Sequence, residues 1–486
     1  MFEDAIAHAA LEARDARFDG RFVTGVTSTG VYCRCVCPAR TPKPSNRRFF
    51  PSAAAAELAG FRPCLICRPE RAPGAAPIDR GQRLAAEALA LIEAGALEER
   101  GLAGLAALLG VTPRHLRRVC QAAFGAPPIA LAQTHRLLTA KRLLRETRLP
   151  VTEVAFAAGF QSLRRCNAAF QERYRLSPSR VRAQAGRERP EEGLSLDLAA
   201  RGAFDPSTWL AFAAGRLVAG MEAMQGGVYA RTLQLGAHAG VLELHLFASG
   251  ARLRLSPGLA PAIRPLLAAV RGALDLDADM AAIDAALDAC PLLPRDAGAR
   301  IAGYLDPFEA AVRAVLGQQV TVKFGRTLTE RLVARFGAEL AGADGLARLF
   351  PSPERLAEAS VDAVAGLGMP ARRAETLIGM ARALAEGRLT LKRGAVAAGR
   401  AGLGELPGFG PWTIAYVALR ALGDPDAFPI GDSALAAALG VKGKAMGPLL
   451  EPVRPWRGYA VIRLWRRQMG LAAPAIEEAP DAARNP

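Results

Sequence analysis

Apolar and polar positions change period several times along this chain. From Arg83 to about Arg180 apolar residues recur every three or four positions, which predicts a run of helices. Two copies of helix, glycine turn, helix lie inside it, at residues 102–118 around Gly110 and 151–165 around Gly159. In the first copy the second helix opens on a Thr112 cap with Pro113 at its first position. From Leu194 the period drops to two. Residues 194–198, 229–235, 241–247 and 252–255 read as antiparallel strands, with helices expected over 208–224 and 261–274. Beyond residue 300 apolar helices return, the first opened by Asp306-Pro307. Charges or glycines break every apolar run before the ~20 residues of a membrane span.

Two glycine-rich stretches interrupt the last helical region. Leu406-Pro407-Gly408-Phe409-Gly410-Pro411-Trp412-Thr413 is a tight turn feeding an apolar helix, and Phe428-Pro429-Ile430-Gly431-Asp432 returns one carboxylate towards it. Gly408 and Gly410 let backbone N–H groups approach a phosphate without a side chain in the way. This stretch resembles the helix–hairpin–helix–GPD superfamily of base-excision DNA glycosylases. That resemblance implies that the hairpin, Leu406, Gly408, Gly410 and Thr413 included, grips the DNA backbone and that Asp432 is catalytic. Relatives that also nick DNA carry a lysine where this chain has Trp412, so a monofunctional hydrolase is expected. Trp412, Tyr416 and Trp465 are the candidate pocket for a flipped base, since aromatic faces attract a cationic alkylated ring. Ala314-Val315-Leu316-Gly317-Gln318-Gln319-Val320-Thr321 resembles the element of AlkA-type glycosylases that abuts DNA; Gln318 is expected beside the duplex and Gln319 as its wedge. Residues 193–300, with Arg231, resemble the N-terminal domain of the same family. Leu367-Gly368-Met369-Pro370-Ala371-Arg372-Arg373 is a further turn of that family, read as structural. A structural monovalent cation at the 406–410 hairpin is a candidate cofactor.

Five of the eight cysteines fall between residues 33 and 67. Cys64-Leu65-Ile66-Cys67 has the spacing at which two thiolates face one metal, and a second pair upstream completes a tetrahedral set suited to zinc. Spacing leaves open which two of Cys33, Cys35 and Cys37 form that pair. Val31-Tyr32-Cys33-Arg34-Cys35-Val36-Cys37-Pro38-Ala39-Arg40 with Gly60-Phe61-Arg62-Pro63-Cys64-Leu65-Ile66-Cys67-Arg68-Pro69 resembles the N-terminal domain of Ada-type regulators. That likeness implies one zinc on Cys33, Cys37, Cys64 and Cys67, with Cys33 also the nucleophile that takes a methyl group from a DNA methylphosphotriester. Cys35 stands where that family commonly has proline. The tandem helices, through Tyr174-Arg175-Leu176-Ser177-Pro178-Ser179, resemble the AraC-type DNA-binding domain. DNA contacts are expected from Arg114, His115 and Arg118 on the first recognition helix and Ser162, Arg164 and Arg165 on the second.

Charge sharpens this division. Residues 1–190 hold 30 basic against 16 acidic side chains and the remainder 32 against 30, so +14 of the net +16 sits in residues 1–190, as a polyanion partner requires. The expected fold is multidomain and mainly α. It comprises a small four-cysteine zinc α/β domain (1–75), an all-α tandem helix-turn-helix domain (80–185), an antiparallel α+β domain (193–300), an all-α helix–hairpin–helix glycosylase domain (301–475) and a tail (476–486). Expected partners are alkylated and promoter double-stranded DNA and RNA polymerase, with no membrane, in a cytoplasmic, nucleoid-associated monomer. The rival reading is an activator of the adaptive response whose glycosylase half only binds DNA. A second Pro-Cys-His-Arg motif, the mark of the alkylguanine-transferring half of full Ada proteins, is missing from the sequence.

Overall fold

The structure is a computed structural model that describes residues 4–15, 18–69, 83–184, 194–341 and 345–471. The segments between the first three expected domains, 76–79 and 186–192, and the tail at 476–486 lie outside the described residues. None of the helices described is long and apolar enough to cross a membrane.

The first unit is built on four short strands: β1 (Val23–Val26), β2 (Val31–Cys33), β3 (Arg47–Phe50) and β4 (Arg62–Pro63), in the order β3-β1-β2-β4. β4 runs parallel to β2, which sets Cys64, just past β4, beside Cys33. The cysteines therefore meet because two strand ends meet. Helix Ala53–Leu58, capped by Ser52, covers the sheet.

Six helices follow. The recognition helices Pro113–Phe124 and Leu163–Tyr174 are capped by Thr112 and Ser162, whose side chains accept from His115 N and Arg165 N. Their buried faces are Leu116, Cys120, Phe124 and Cys166, Phe170, Tyr174, one residue every fourth position. The long helix Pro128–Glu146 runs between them.

The second sheet is wholly antiparallel: β5 (Leu194–Ala199), β6 (Glu222–Gln225), β7 (Val228–Leu235), β8 (His238–Phe247) and β9 (Gly250–Leu255), ordered β5-β9-β8-β7-β6. One expectation is corrected here. The helix expected over 208–224 is Pro206–Ala214 only, and Glu222–Gln225 is an edge strand paired with β7. Gly215 ends that helix, Gly220 turns the chain at φ 77°, and Gly226 and Gly227 close the hairpin at φ 58° and 78°.

The sheet shares one hydrophobic core with the second helix-turn-helix unit: Leu137, Leu143, Val154 and Phe170 pack in the same cluster as Leu196, Leu244, Leu253 and Leu266. Helices from Met280 onward form a separate core. A buried ion network joins sheet to helices. Glu309 takes Arg231 at 2.7 Å and Arg313 at 2.6 Å, and Arg313 reaches Glu222 at 2.7 Å. With Glu309 fully buried, removing one partner would strand a charge in the interior at a cost of about 3–5 kcal/mol.

Candidate active site and metal centre

The Sγ atoms of Cys33, Cys37, Cys64 and Cys67 all lie within 4.8 Å of one another. Zn–S bonds of about 2.3 Å in a tetrahedron need sulfurs about 3.8 Å apart, so a small inward adjustment completes the site. Backbone N–H groups of Arg34 and Ile66 donate to the sulfurs of Cys67 (3.4 Å) and Cys64 (3.3 Å), which favours their thiolate form. Cys37, Cys64 and Cys67 are buried, whereas Cys33 is half-buried and is the thiol open to a reagent. Cys35 is left out. It is fully buried against Ala7, Ala10 and Phe22, its thiol bonded to the carbonyl of Asp15. Burial first, then Asp19, pushes it up to about 12.

Helix Pro128–Glu146 carries this centre. Lys141 Nζ donates to the carbonyl of Cys64 at 2.9 Å, and Arg68 pairs with Glu146 at 2.6 Å. Arg114, Arg118, Arg164 and Arg165 are exposed. His115 is half-buried with Nδ1 3.1 Å from Arg118, and the Ser162 hydroxyl is spent on its cap.

The second site forms where the hairpin helix, Pro411–Val417, meets the loop before Ser433–Leu439. Gly408 sits at φ 88°, and a Cβ there would lie 2.1 Å from Thr376 Oγ1, so only glycine fits. Beneath the hairpin Gln318 Nε2 donates to the carbonyl of Gly408 (3.0 Å) and to Thr413 Oγ1 (2.9 Å). Thr413 is buried, its side chain a brace rather than a surface group. Arg373 donates to the carbonyl of Gln318 at 2.8 Å, tying in the 367–373 turn. Next in line, Gln319 is exposed and held at φ 55°, a left-handed backbone unusual for a non-glycine residue.

Asp432 caps the short helix Ser433–Leu439, accepting from Leu435 N at 3.0 Å. Its two oxygens also accept from Trp412 Nε1 (3.1 Å, to Oδ2) and Trp465 Nε1 (3.0 Å, to Oδ1). Tyr416 stacks on Trp412 with centroids 5.2 Å apart and lies 6.2 Å from Trp465. Two of the three aromatic residues picked out in the sequence, Trp412 and Trp465, thus hold the carboxylate picked out with them, and the third, Tyr416, packs against both.

Four family models tile the chain: the metal binding domain of Ada over residues 7–70, a helix-turn-helix domain over 105–184, the AlkA N-terminal domain over 195–306 and the HhH-GPD superfamily base excision DNA repair protein over 312–441. A bifunctional transcriptional activator/DNA repair enzyme AlkA of Mycobacterium tuberculosis is 40% identical over 475 residues, 94% of this chain and 95% of that one. The chain belongs to the family of AlkA-type bifunctional activator/DNA repair enzymes. Two further relatives each match a part of this AlkA-type chain. DNA-3-methyladenine glycosylase 2 of Escherichia coli is 34% identical over 268 residues, 54% of this chain and 93% of that protein. The regulatory protein ada of Salmonella typhimurium is 36% identical over 153 residues, 31% of this chain and 41% of that protein.

The back of the aromatic cluster in this AlkA-type fold has no signal in the sequence. Arg216, Tyr304 and Arg420 come from three distant segments and converge behind Tyr416. No local motif signals them, because only tertiary packing brings them together.

Proposed function

We propose that the C-terminal half is a monofunctional DNA glycosylase that hydrolyses the N-glycosidic bond of alkylated purines of the 3-methyladenine type, and that the N-terminal half is a methylphosphotriester-sensing transcriptional regulator. The carrying observation is Asp432, gripped by two indoles of the aromatic cluster.

That grip fixes the carboxylate plane next to where a base would stack. As the C1′–N bond breaks, its electron pair leaves with the base and positive charge builds on the sugar. A fixed carboxylate favours that charge and can orient the attacking water. A cationic base needs no proton donor to leave, and the faces of Trp412, Tyr416 and Trp465 suit it. Trp412 offers no amine, so strand nicking is not expected. Gln319, held in a strained conformation at the surface, fills the gap left by the extruded base. Gly408 and Gly410 present backbone N–H groups to phosphate. The carbonyl of Gly408 is committed to Gln318, so a monovalent cation at this hairpin would draw its ligands from the other carbonyls.

In the first half, zinc bound by the four cysteines would keep Cys33 a thiolate. Cys33 Sγ attacks the methyl carbon of a methylphosphotriester, the C–O bond breaks, and the phosphodiester leaves as an anion. Losing one thiolate charge lowers the repulsion between this centre and DNA, so repair strengthens promoter binding. Arg114, His115, Arg118, Arg164 and Arg165 face that DNA, the Ser162 hydroxyl capping the second recognition helix. RNA polymerase is the partner of the activated form, a monomer acting in the cytoplasm on the nucleoid.

The test is incubation with duplex DNA carrying N-methylated purines. Free base with strands intact until alkali treatment is expected; the absence of free base would refute the glycosylase reading.

A further inference from the structure

Three arginines buried in the glycosylase half are neutralised where they sit: Arg313 by Glu222 and Glu309, Arg463 by Asp284 and Asp288, and Arg466 by Asp205 and Asp296. Arg420, buried in the π-turn Ala418–Leu422, is not. Among the described residues it pairs with no carboxylate, and its one hydrogen bond goes to the carbonyl of Ala302. What it meets instead is rings. Its guanidinium lies 4.4 Å from the ring centroid of Phe212, 4.8 Å from that of Trp465 and 5.8 Å from that of Tyr416. Burial pulls its pKa below the ordinary value, whereas for Arg313 burial is outweighed by Glu222 and Glu309. Arg420 stays charged all the same, because a guanidinium does not give up its proton in a protein. Two of its three rings belong to the cluster at Asp432: Trp465 donates to the carboxylate, and Tyr416 stacks on Trp412.

An unpaired buried cation is costly, and this one sits against rings offered to a cationic base. A ring attracts a cation through its quadrupole. A guanidinium already on that ring draws on the same attraction and repels a second positive charge nearby, the more so away from water. A neutral base feels no such repulsion and stacks as before. We propose that Arg420 is a specificity-determining residue of the pocket: it steadies the Trp465 and Tyr416 rings, and its unpaired charge weakens the pocket's preference for cationic N-alkylated purines, so that purines with a neutral ring are also taken. Asp432 pulls the other way, its negative charge favouring a cationic base. The balance between the two charges then sets which damaged bases are released. Arg420 acts through the rings and takes no part in bond breaking. The inference rests on the glycosylase reading above and deepens it.

The experiment measures, on the full chain, single-turnover release of 7-methylguanine, whose ring is cationic in DNA, and of hypoxanthine, whose ring is neutral, from otherwise identical duplexes. Arg420→Gln keeps an N–H donor for the carbonyl of Ala302 and removes the charge; Arg420→Lys keeps the charge. The ratio of 7-methylguanine to hypoxanthine release should rise roughly tenfold in Arg420→Gln and stay near the parent's in Arg420→Lys. Phe212→Glu, which sets a carboxylate against Arg420 in place, should raise the ratio too, and it serves where Arg420→Gln does not fold. A pocket that is merely loosened slows both bases together, so the ratio separates charge from support. An active parent whose ratio is unchanged in Arg420→Gln or, where that variant does not fold, in Phe212→Glu would overturn the proposal and leave the glycosylase reading standing. So would a parent that frees 7-methylguanine but no hypoxanthine. A parent that binds both duplexes and frees neither base would overturn the glycosylase reading, and the proposal with it.

Discussion

Cys33, Cys35 and Cys37 alternate with single residues, a spacing that in a continuous strand would point all three thiols to one side. The strand ends at Cys33, and the turn closed by Cys37 N on the Arg34 carbonyl (3.2 Å) swings Cys35 the other way. One residue of geometry therefore separates a ligand from a core thiol. Cys35→Ser should leave one zinc per purified chain by elemental analysis, whereas Cys37→Ser should lose it. Equal zinc loss in both would mean that Cys35 belongs to the metal set. The motif legible in the sequence was the four-sulfur demand; which sulfurs meet it depended on where the strand stops, which spacing does not encode.

Among elements, the hairpin is the most legible and its support the least. Gly408, Gly410 and Pro411 announce a turn and a helix start through backbone demands that are local. Its brace comes from Gln318, 90 residues earlier, and a paired glutamine announces only that a buried amide wants partners. The brace makes two hydrogen bonds, each contributing about 1 kcal/mol, so its loss should loosen the hairpin by about 2 kcal/mol. Gln318→Leu should reduce base release roughly thirtyfold with unchanged circular dichroism. Full activity in that variant would show the hairpin to be set by its own glycines. The corrected helix at 208–224 teaches the converse: apolar periodicity ran on past Gly215, and the glycines that ended it carried the stronger signal.

Across the described residues, the two halves meet in shared cores and buried charges. Arg142 donates to the carbonyl of Asp197 in β5 and pairs with Glu146, which also holds Arg68 beside the metal centre. Arg264 of the sheet domain reaches the carbonyl of Ile92 at 3.1 Å and Glu98 at 3.3 Å. A cavity of about 220 Å³ remains at this junction, with Glu93, His135 and Arg271 in its wall. Composition placed the basic charge in the first half but could not show this docking, since the residues that make it are scattered over the chain. Burial, then Asp277, pushes Glu93 up to about 7. An acid that holds its proton more tightly when folded loses stability as pH rises from its unfolded value, about 4.3, towards 7. Glu93→Gln should therefore melt above the parent at pH 8 and level with it at pH 4. A gap of the same size at both pH values would place the effect elsewhere.

The central claim is that Asp432, oriented by Trp412 and Trp465, carries the chemistry of base release. Its most direct test compares single-turnover release of 3-methyladenine from alkylated duplex DNA by the wild type and by Asp432→Asn, with DNA affinity measured on the same samples. The account predicts that the variant binds that DNA as well as the parent and releases no base above background. Release by Asp432→Asn at the parent's rate, or a wild type that binds the DNA and frees nothing, would contradict it.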